Sequence, residues 1–242
     1  MTPSPATPVV HVIDDDASIR AGLADLLESV SLKTHVFASV QDFLAHPRDD
    51  DAPACLVLDV RMPGQSGVDF HQQMDSLGIR MPVIFITGHG DIAMGVKAIK
   101  DGAVDFLTKP FRDQDLLDAI QAALERDRLR LDQAQHMRSI QALWSTLTPG
   151  ERDVIELALD GYLNKQTAAR LGVKEITVKT RRARAMKKLG VSSILDVMRM
   201  AHEMRGDIPH HVVDAAAPQI TGQRPGTVVP GPVRSGYYLP KP

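Results

Sequence analysis

Short apolar runs alternate with stretches of helical periodicity from Val9 to about Arg112. The runs Val9-Val-His-Val-Ile13, Cys55-Leu-Val-Leu58, Val83-Ile-Phe-Ile86 and Asp105-Phe-Leu-Thr108 have the pattern of buried strands. Strands are placed at about 9–14, 33–37, 55–59, 82–87 and 105–108, with helices between them near 18–30, 39–46, 66–77 and 91–101. Ser18, Ser39, Ser66 and Asp91 stand where N-caps are expected, because a short side-chain oxygen can accept an otherwise orphaned helix N–H. Repeated βα units of this kind predict an α/β fold with a five-stranded, doubly wound parallel sheet.

The pattern then changes. Residues 113–143 carry Leu116, Leu117, Ile120, Ala123, Leu124, Leu131, Ile140 and Leu143 among charged residues, which reads as a last helix running on into a helical linker. Thr148-Pro149-Gly150-Glu151 is a helix start, with a Thr cap, Pro at the first helical position and Glu closing a capping box. That helix is expected to stop at Gly161. A second begins at Leu163-Asn164, capped by Asn164, and ends at Leu171-Gly172. A tight turn leads into a third over about 175–189, stopped by Gly190, and a fourth runs from Ser192 to about Glu203. Two short helices joined by a glycine-containing turn form a helix-turn-helix, here within an all-α four-helix domain. The tail over 207–242 holds seven Pro and four Gly, too little apolar surface to offset its ordering entropy, and is expected to be disordered.

Charge divides the chain in the same place. Residues 9–128 carry 11 Lys/Arg against 20 Asp/Glu, whereas residues 148–205 carry 12 against 7, although the whole chain has a net charge of only -2. An acidic half joined to a basic half implies two tasks, the second suited to nucleic acid. The single cysteine, Cys55, excludes an internal disulfide and reads as a small buried hydrophobe. The first eight residues lack the basic and apolar regions of a signal peptide, and no run approaches the length that spans a bilayer. The chain therefore reads as cytoplasmic, with no membrane partner.

Four apolar runs end in polar groups: Asp14-Asp15-Asp16, Asp59, Thr87 and Lys109-Pro110. In an open parallel sheet ligands bind beyond the carboxyl ends of the strands, so these sets converge on one crevice. Capping or turn chemistry accounts for each alone, but not for all four in this order. Packed carboxylates need a counter-ion, and Mg²⁺ suits them because it is held by a few carboxylates while keeping waters and phosphate oxygens. A carboxylate is also a nucleophile toward phosphorus. Asp59 is the expected nucleophile. Asp14, Asp15 and Asp59, with the backbone carbonyl of Arg61, form the expected metal set, and Lys109 pairs with the phosphoryl group and Asp59. Asp16 is left to solvent or to the helix cap.

Seven Lys/Arg and one acid lie between Lys174 and Lys188. At helical spacing Val178, Ala185 and Leu189 make a core stripe, while Lys179, Thr180, Ala183, Arg184 and Lys187 project to the opposite half. Arg181 and Lys188 lie on a flank, and Arg182 sits at the core edge with its head able to reach out. Such a face suits the major groove of double-stranded DNA.

Val12-Ile-Asp-Asp-Asp16, Leu58-Asp-Val-Arg-Met-Pro63 with Ser66-Gly67, Ile86-Thr-Gly-His-Gly-Asp91 and Gly102-Ala-Val-Asp-Phe-Leu-Thr-Lys-Pro-Phe111 resemble the flavodoxin-like receiver domain of two-component response regulators, nearest to the FixJ/NarL type. The likeness implies a phosphoryl group taken from a sensor histidine kinase onto Asp59. It also implies catalytic roles for Asp59, Lys109 and Thr87, with Thr87 bonding the phosphoryl oxygen and the ring of Phe106 repacking with it. Leu147-Thr-Pro-Gly-Glu-Arg152, Asn164-Lys165, Ala168-Ala-Arg-Leu-Gly172, Thr177-Val-Lys179 and Lys188-Leu-Gly190 resemble the LuxR-type helix-turn-helix. There the likeness makes Lys179, Thr180 and Ala183 the base-reading set. Arg184 and Lys187 are assigned to phosphates, and Arg182 matches an Arg often found in FixJ-like members. The expected division is a receiver over 8–128, a linker over 129–146, the DNA-binding domain over 147–205 and the tail over 206–242. The expected function is a phosphorylation-controlled transcription regulator that dimerises on phosphorylation and acts with RNA polymerase. It is not an enzyme beyond catalysing its own phosphoryl transfer. The alternatives are a Mg²⁺-dependent phosphohydrolase, which would want a carboxylate where Arg61 stands, and a sigma-factor-like promoter binder.

Overall fold

A computed structural model describes residues 7–88 and 92–205; the Asp91 cap and the tail expectation lie outside the described residues. Five strands, β1 (Val9–Ile13), β2 (Lys33–Phe37), β3 (Ala54–Asp59), β4 (Val83–Thr87) and β5 (Asp105–Thr108), pair in parallel in the order β2-β1-β3-β4-β5. They alternate with α1 (Ala17–Ser29), α2 (Val40–Ala45), α3 (Gly67–Met74), α4 (Ile92–Lys100) and α5 (Asp113–Ser145).

Side chains alternate across the sheet and make two cores. On one face Leu56 and Leu58 of β3 pack with Phe43, Phe70, Met74 and Ala98 from α2, α3 and α4. On the other, Cys55 and Val57 pack with Leu23 and Leu27 of α1 and with Leu116 and Ile120 of α5. Both faces are thus covered, which is why β1, β3 and β4 are buried throughout and mostly apolar rather than alternating. The Cys55 thiol is fully buried, and burial pushes it well above its ordinary pKa, so it is an inert hydrophobe.

Ser39 and Ser66 cap α2 and α3 as expected, accepting from the N–H groups of Asp42 and Asp69 at 3.1 Å in each case. Ser18 does not cap α1. Asp16 does, accepting from the Ser18 N–H at 2.8 Å. The helix starts one residue earlier than its apolar periodicity suggests, and Asp16 takes the cap, one of the two roles open to it, where its charge also suits the positive end of the helix.

Helix α5 is unbroken over 33 residues. Its first turns lie in the sheet's second core through Leu116, Ala119, Ile120 and Ala123. Its last turn carries Trp144 into a separate core with Leu147, Ile155, Ala185, Leu189 and Val197. This second unit comprises α6 (Pro149–Leu159), α7 (Asn164–Leu171), α8 (Glu175–Leu189) and α9 (Ile194–Arg205). The Thr148/Glu151 capping box forms, with the Glu151 carboxylate accepting from the Thr148 N–H at 2.9 Å. Asn164 is inside α7 rather than its cap. The cap position is Leu163, whose N–H is taken by the side chain of Gln166 at 2.9 Å. Gly172 and Gly190 end α7 and α8 in the left-handed region, with φ of 64° and 69°, a conformation that costs a side chain most and glycine least.

Candidate functional site: an acidic crevice and a basic helix

The register of the sheet brings the polar strand ends together. Ile13 of β1 lies opposite Leu58 of β3, so Asp14 follows beside Asp59. Asp59 in turn lies opposite Ile86, and Thr87 opposite Thr108, so Thr87 and Lys109 flank the same end. This is where the strand order reverses, between β1 and β3, the place at which an open α/β sheet forms its crevice.

Lys109 is the centre of the constellation. Its ammonium donates to Asp14 at 2.6 Å and to Asp59 at 2.9 Å. Both acids are nearly inaccessible, at 0% and 4% exposure, so the pairing is a buried one with little screening. The second oxygen of Asp59 accepts from the Arg61 N–H at 3.0 Å, and the second of Asp14 from the Asp16 N–H at 2.9 Å. Arg20 donates to the Asp14 carbonyl at 2.7 Å and fixes the loop after β1. The backbone of Lys109 is held by the Thr87 carbonyl at 2.7 Å.

Burial raises the Asp59 pKa above its ordinary value, partly opposed by the hydrogen bond from Lys109. Burial works against charge on Lys109 too, but the two carboxylates outweigh it and hold the ammonium's pKa above normal. The site therefore keeps a cation between two poorly solvated acids, of which Asp59 retains the slight remaining exposure. Gly67 sits under it. A β-carbon there would overlap the carbonyl oxygen of Asp59, so only glycine lets α3 begin this close to the strand end.

Asp15 is exposed beside the buried Asp14. Among the described residues no group of three His, Cys, Asp or Glu side chains is gathered into a metal cage. Asp14 and Asp59 are brought together on the Lys109 ammonium, and Asp15 stands apart from them toward solvent.

Thr87 is buried and Phe106 half-buried. The Phe106 ring lies 6.5 Å from Phe85 and rests against Gly95 of α4, where a β-carbon would come within 3.0 Å of it. Gly95 carried no signal in the sequence beyond being a glycine inside a helix.

In the second unit the expected stripe is buried: Val178 and Ala185 are fully inaccessible and Leu189 nearly so. Lys179, Thr180, Ala183, Arg184 and Lys187 are all exposed on the opposite half of α8. Lys179 pairs with Glu175 one turn back at 3.0 Å, an exposed contact worth little and easily exchanged for a nucleic-acid partner. Arg182 is half-buried and reaches Asn164 of α7 at 3.3 Å, which gives Asn164 a role that the cap expectation missed. The guanidinium of Arg181 lies over Gly150, 2.8 Å from where a β-carbon would stand. Lys188 donates to Glu151 at 2.6 Å and to the Thr146 carbonyl at 3.0 Å, so it fastens α8 to the start of α6. That bond, with the N–H of Thr148, depresses the Glu151 pKa to about 2.

The sequence of this chain matches two family models, the response regulator receiver domain over residues 10–121 and the bacterial regulatory proteins of the luxR family over residues 145–201. Nodulation protein W of Bradyrhizobium diazoefficiens is 48% identical, over 81% of this chain and 86% of its own. The chain is a response regulator with a LuxR-type DNA-binding domain. The response regulator protein TodT of Pseudomonas putida is 43% identical over 83% of this chain and 88% of its own. The solved structure of the response regulator StyR superposes with a TM-score of 0.74 at 41% identity, over 82% of this chain and 100% of that one. The five-stranded receiver followed by a helical DNA-binding domain is therefore the architecture of this family, and its members are transcription regulators rather than conventional enzymes. A receiver domain implies a histidine kinase as partner, and a LuxR-type domain implies DNA.

Proposed function

We propose that Asp59 is the phosphoacceptor of this response regulator and that its modification governs binding of α8 to a promoter. A carboxylate oxygen of Asp59 attacks the phosphorus of a phosphohistidine on the sensor kinase. The P–N bond breaks, the imidazole leaves, and an aspartyl phosphate remains. The observation that carries this reading is the Lys109 ammonium held between Asp14 and Asp59 at 2.6 and 2.9 Å. That cation is placed to neutralise charge spreading over the phosphoryl oxygens. Asp14 and Asp59, with Asp15 and the carbonyl of Arg61, would hold Mg²⁺, which when bound supplies further positive charge at the same oxygens. Thr87, at the end of β4, is the hydroxyl that bonds the phosphoryl oxygen, and Phe106 repacks against α4 in response.

On α8, Lys179, Thr180 and Ala183 read base edges in the major groove, while Arg184 and Lys187 bind phosphates and Arg182 orients the face from its edge. The reading extends to a cytoplasmic homodimer on paired half-sites, acting with RNA polymerase. Acetyl phosphate offered to the full chain tests it directly. The acyl phosphate should modify the peptide carrying Asp59, and DNA fragments selected with and without the donor should differ. An adduct of equal yield on the Asp59→Asn protein would overturn it.

A further inference from the structure

Asp127 is fully buried on α5, on the stripe that otherwise carries Leu116, Ile120 and Ala123. An acid in a core stripe is costly unless it is bonded. Here one carboxylate oxygen accepts from the N–H of Ala54 at 2.9 Å and the other from Arg130 at 2.7 Å. Ala54 is the first residue of β3, the strand whose other end is Asp59. The helix side chain thus satisfies a strand N–H at the base of the sheet.

The rest of α5 makes this bond consequential. Beyond Asp127 the same unbroken helix carries Arg138, which reaches Asp51 in the loop before β3 at 3.3 Å. It carries His136, 3.0 Å from Glu203 of α9, and Trp144, which is part of the core around α8. One rigid rod therefore touches the base of the Asp59 strand at one end and the DNA-binding unit at the other. A leucine at 127 would fill the same space and match the stripe, but it would leave the Ala54 N–H without its acceptor and α5 without its buried polar tie to β3, the exposed Arg138–Asp51 contact remaining.

We propose that Asp127 is the positioning residue that sets the register of α5 on β3, so that changes at Asp59 reach the DNA-binding unit through a fixed seat. This rests on the reading of Asp59 as phosphoacceptor. The test compares wild type, Asp127→Asn, Asp127→Leu and Asp127→Glu in the full chain, by residue-resolved hydrogen exchange with and without acetyl phosphate. Asn keeps an acceptor for Ala54, so the Ala54 amide should stay protected and the response of α8 and α9 to the donor should survive. Leu removes the acceptor, and the Ala54 amide should exchange about tenfold faster. The donor should then still alter exchange around residues 59–88 but no longer in α8 and α9. Glu keeps the charge but displaces it by one methylene, so it should fold and transmit a reduced response, which preserves the test if the Leu protein does not fold. An α8 and α9 response of wild-type size in the Leu protein, or in the Glu protein where Leu does not fold, overturns the proposal. Absence of any donor effect around 59–88 in wild type instead overturns the reading of Asp59.

Discussion

Replacing Lys109 by Met removes the cation held between Asp14 and Asp59 and keeps most of the side chain's volume. The consequence follows from burial. With contacts of 2.6 and 2.9 Å, each attraction is worth roughly 6 kcal/mol gross at an effective dielectric constant of about 20. Desolvation of three charged groups cancels much of that, and removing one partner of a buried pair typically costs about 3–5 kcal/mol net. The ammonium side chain keeps 19% of its exposure, so the low end of the range applies. At about 4 °C per kcal/mol for a domain of this size, the receiver transition should fall by about 12 °C in a chelator-treated sample. Mg²⁺ at about a hundred times its dissociation constant would return about 2.7 kcal/mol, because it binds only the folded site. In wild type the ammonium already pairs with both carboxylates, so Mg²⁺ at a given concentration should stabilise the variant more than wild type. A second substitution, Asp59→Asn, should also cost less in the Met background than the sum of the single changes predicts, since only there is the Asp14–Asp59 repulsion not offset by the ammonium. Melting followed by circular dichroism gives all of these numbers. A variant that melts within a degree or two of wild type without divalent ions, or changes that simply add, would refute the buried-triad argument.

Three further outcomes follow from other parts of the molecule. Burial against the rings of Phe37 and Phe43, with His35 and His46 close by, lowers the His11 pKa to about 4 from an ordinary value near 6.5. The unfolded chain then binds a proton over that interval that the folded chain does not, so stability is full above about pH 6.5 and falls as pH drops toward 4, by about 3 kcal/mol; denaturant titrations of wild type and His11→Phe should diverge in that window, and parallel curves would contradict it. On α8, Lys179→Ala should weaken specific binding by about 1–3 kcal/mol and relax sequence choice, whereas Lys187→Ala should weaken all sequences alike and flatten the salt slope by about one unit; fluorescence anisotropy across salt concentrations separates the two, and identical behaviour would argue against the assignment. Gly95→Ala should gain about 1 kcal/mol of helix propensity and lose about 1–3 kcal/mol by pressing the Phe106 ring; net destabilisation with shifted Phe106 resonances is expected, and a clean stabilisation would show that the ring does not need that space.

Much of the receiver was legible because its signals are collective. The apolar runs mark β1, β3 and β4 within a residue or so, since a strand buried on both faces is apolar on both, with His11 as the one polar residue inside them before their carboxyl ends. The polar ends at Asp14, Asp59, Thr87 and Lys109 could be gathered on paper because a parallel sheet places all its carboxyl ends on one side. The caps were harder. Ser18 and Asn164 lost to Asp16 and Leu163 because a one-residue shift of a helix start costs little and tertiary packing decides it. The seat of α5 on the sheet was hidden for a related reason. Its stripe is interrupted by Asp127, and only the N–H of Ala54, distant in sequence, explains why an acid is tolerated there. Gly95 and the Lys188–Glu151 bond were hidden likewise, as each is a contact between elements with no local trace.

The arrangement of the two units also constrains how the receiver can control DNA binding. Lys179, Thr180, Ala183, Arg184 and Lys187 are exposed in the full chain, so the face proposed to read DNA is not covered in the arrangement described. A mechanism in which the receiver simply shields that face is at odds with this. What the structure does provide is a shared element. α5 is built into the core beside β3 and into the core beside α8, and its flank is tied to α9 through His136 and Glu203. A response at Asp59 that alters how α5 sits on the sheet must displace α8 with it, because a continuous helix bends far less readily than a loop. Control through the placement of an open reading face, rather than through its burial, is the scheme that this geometry supports.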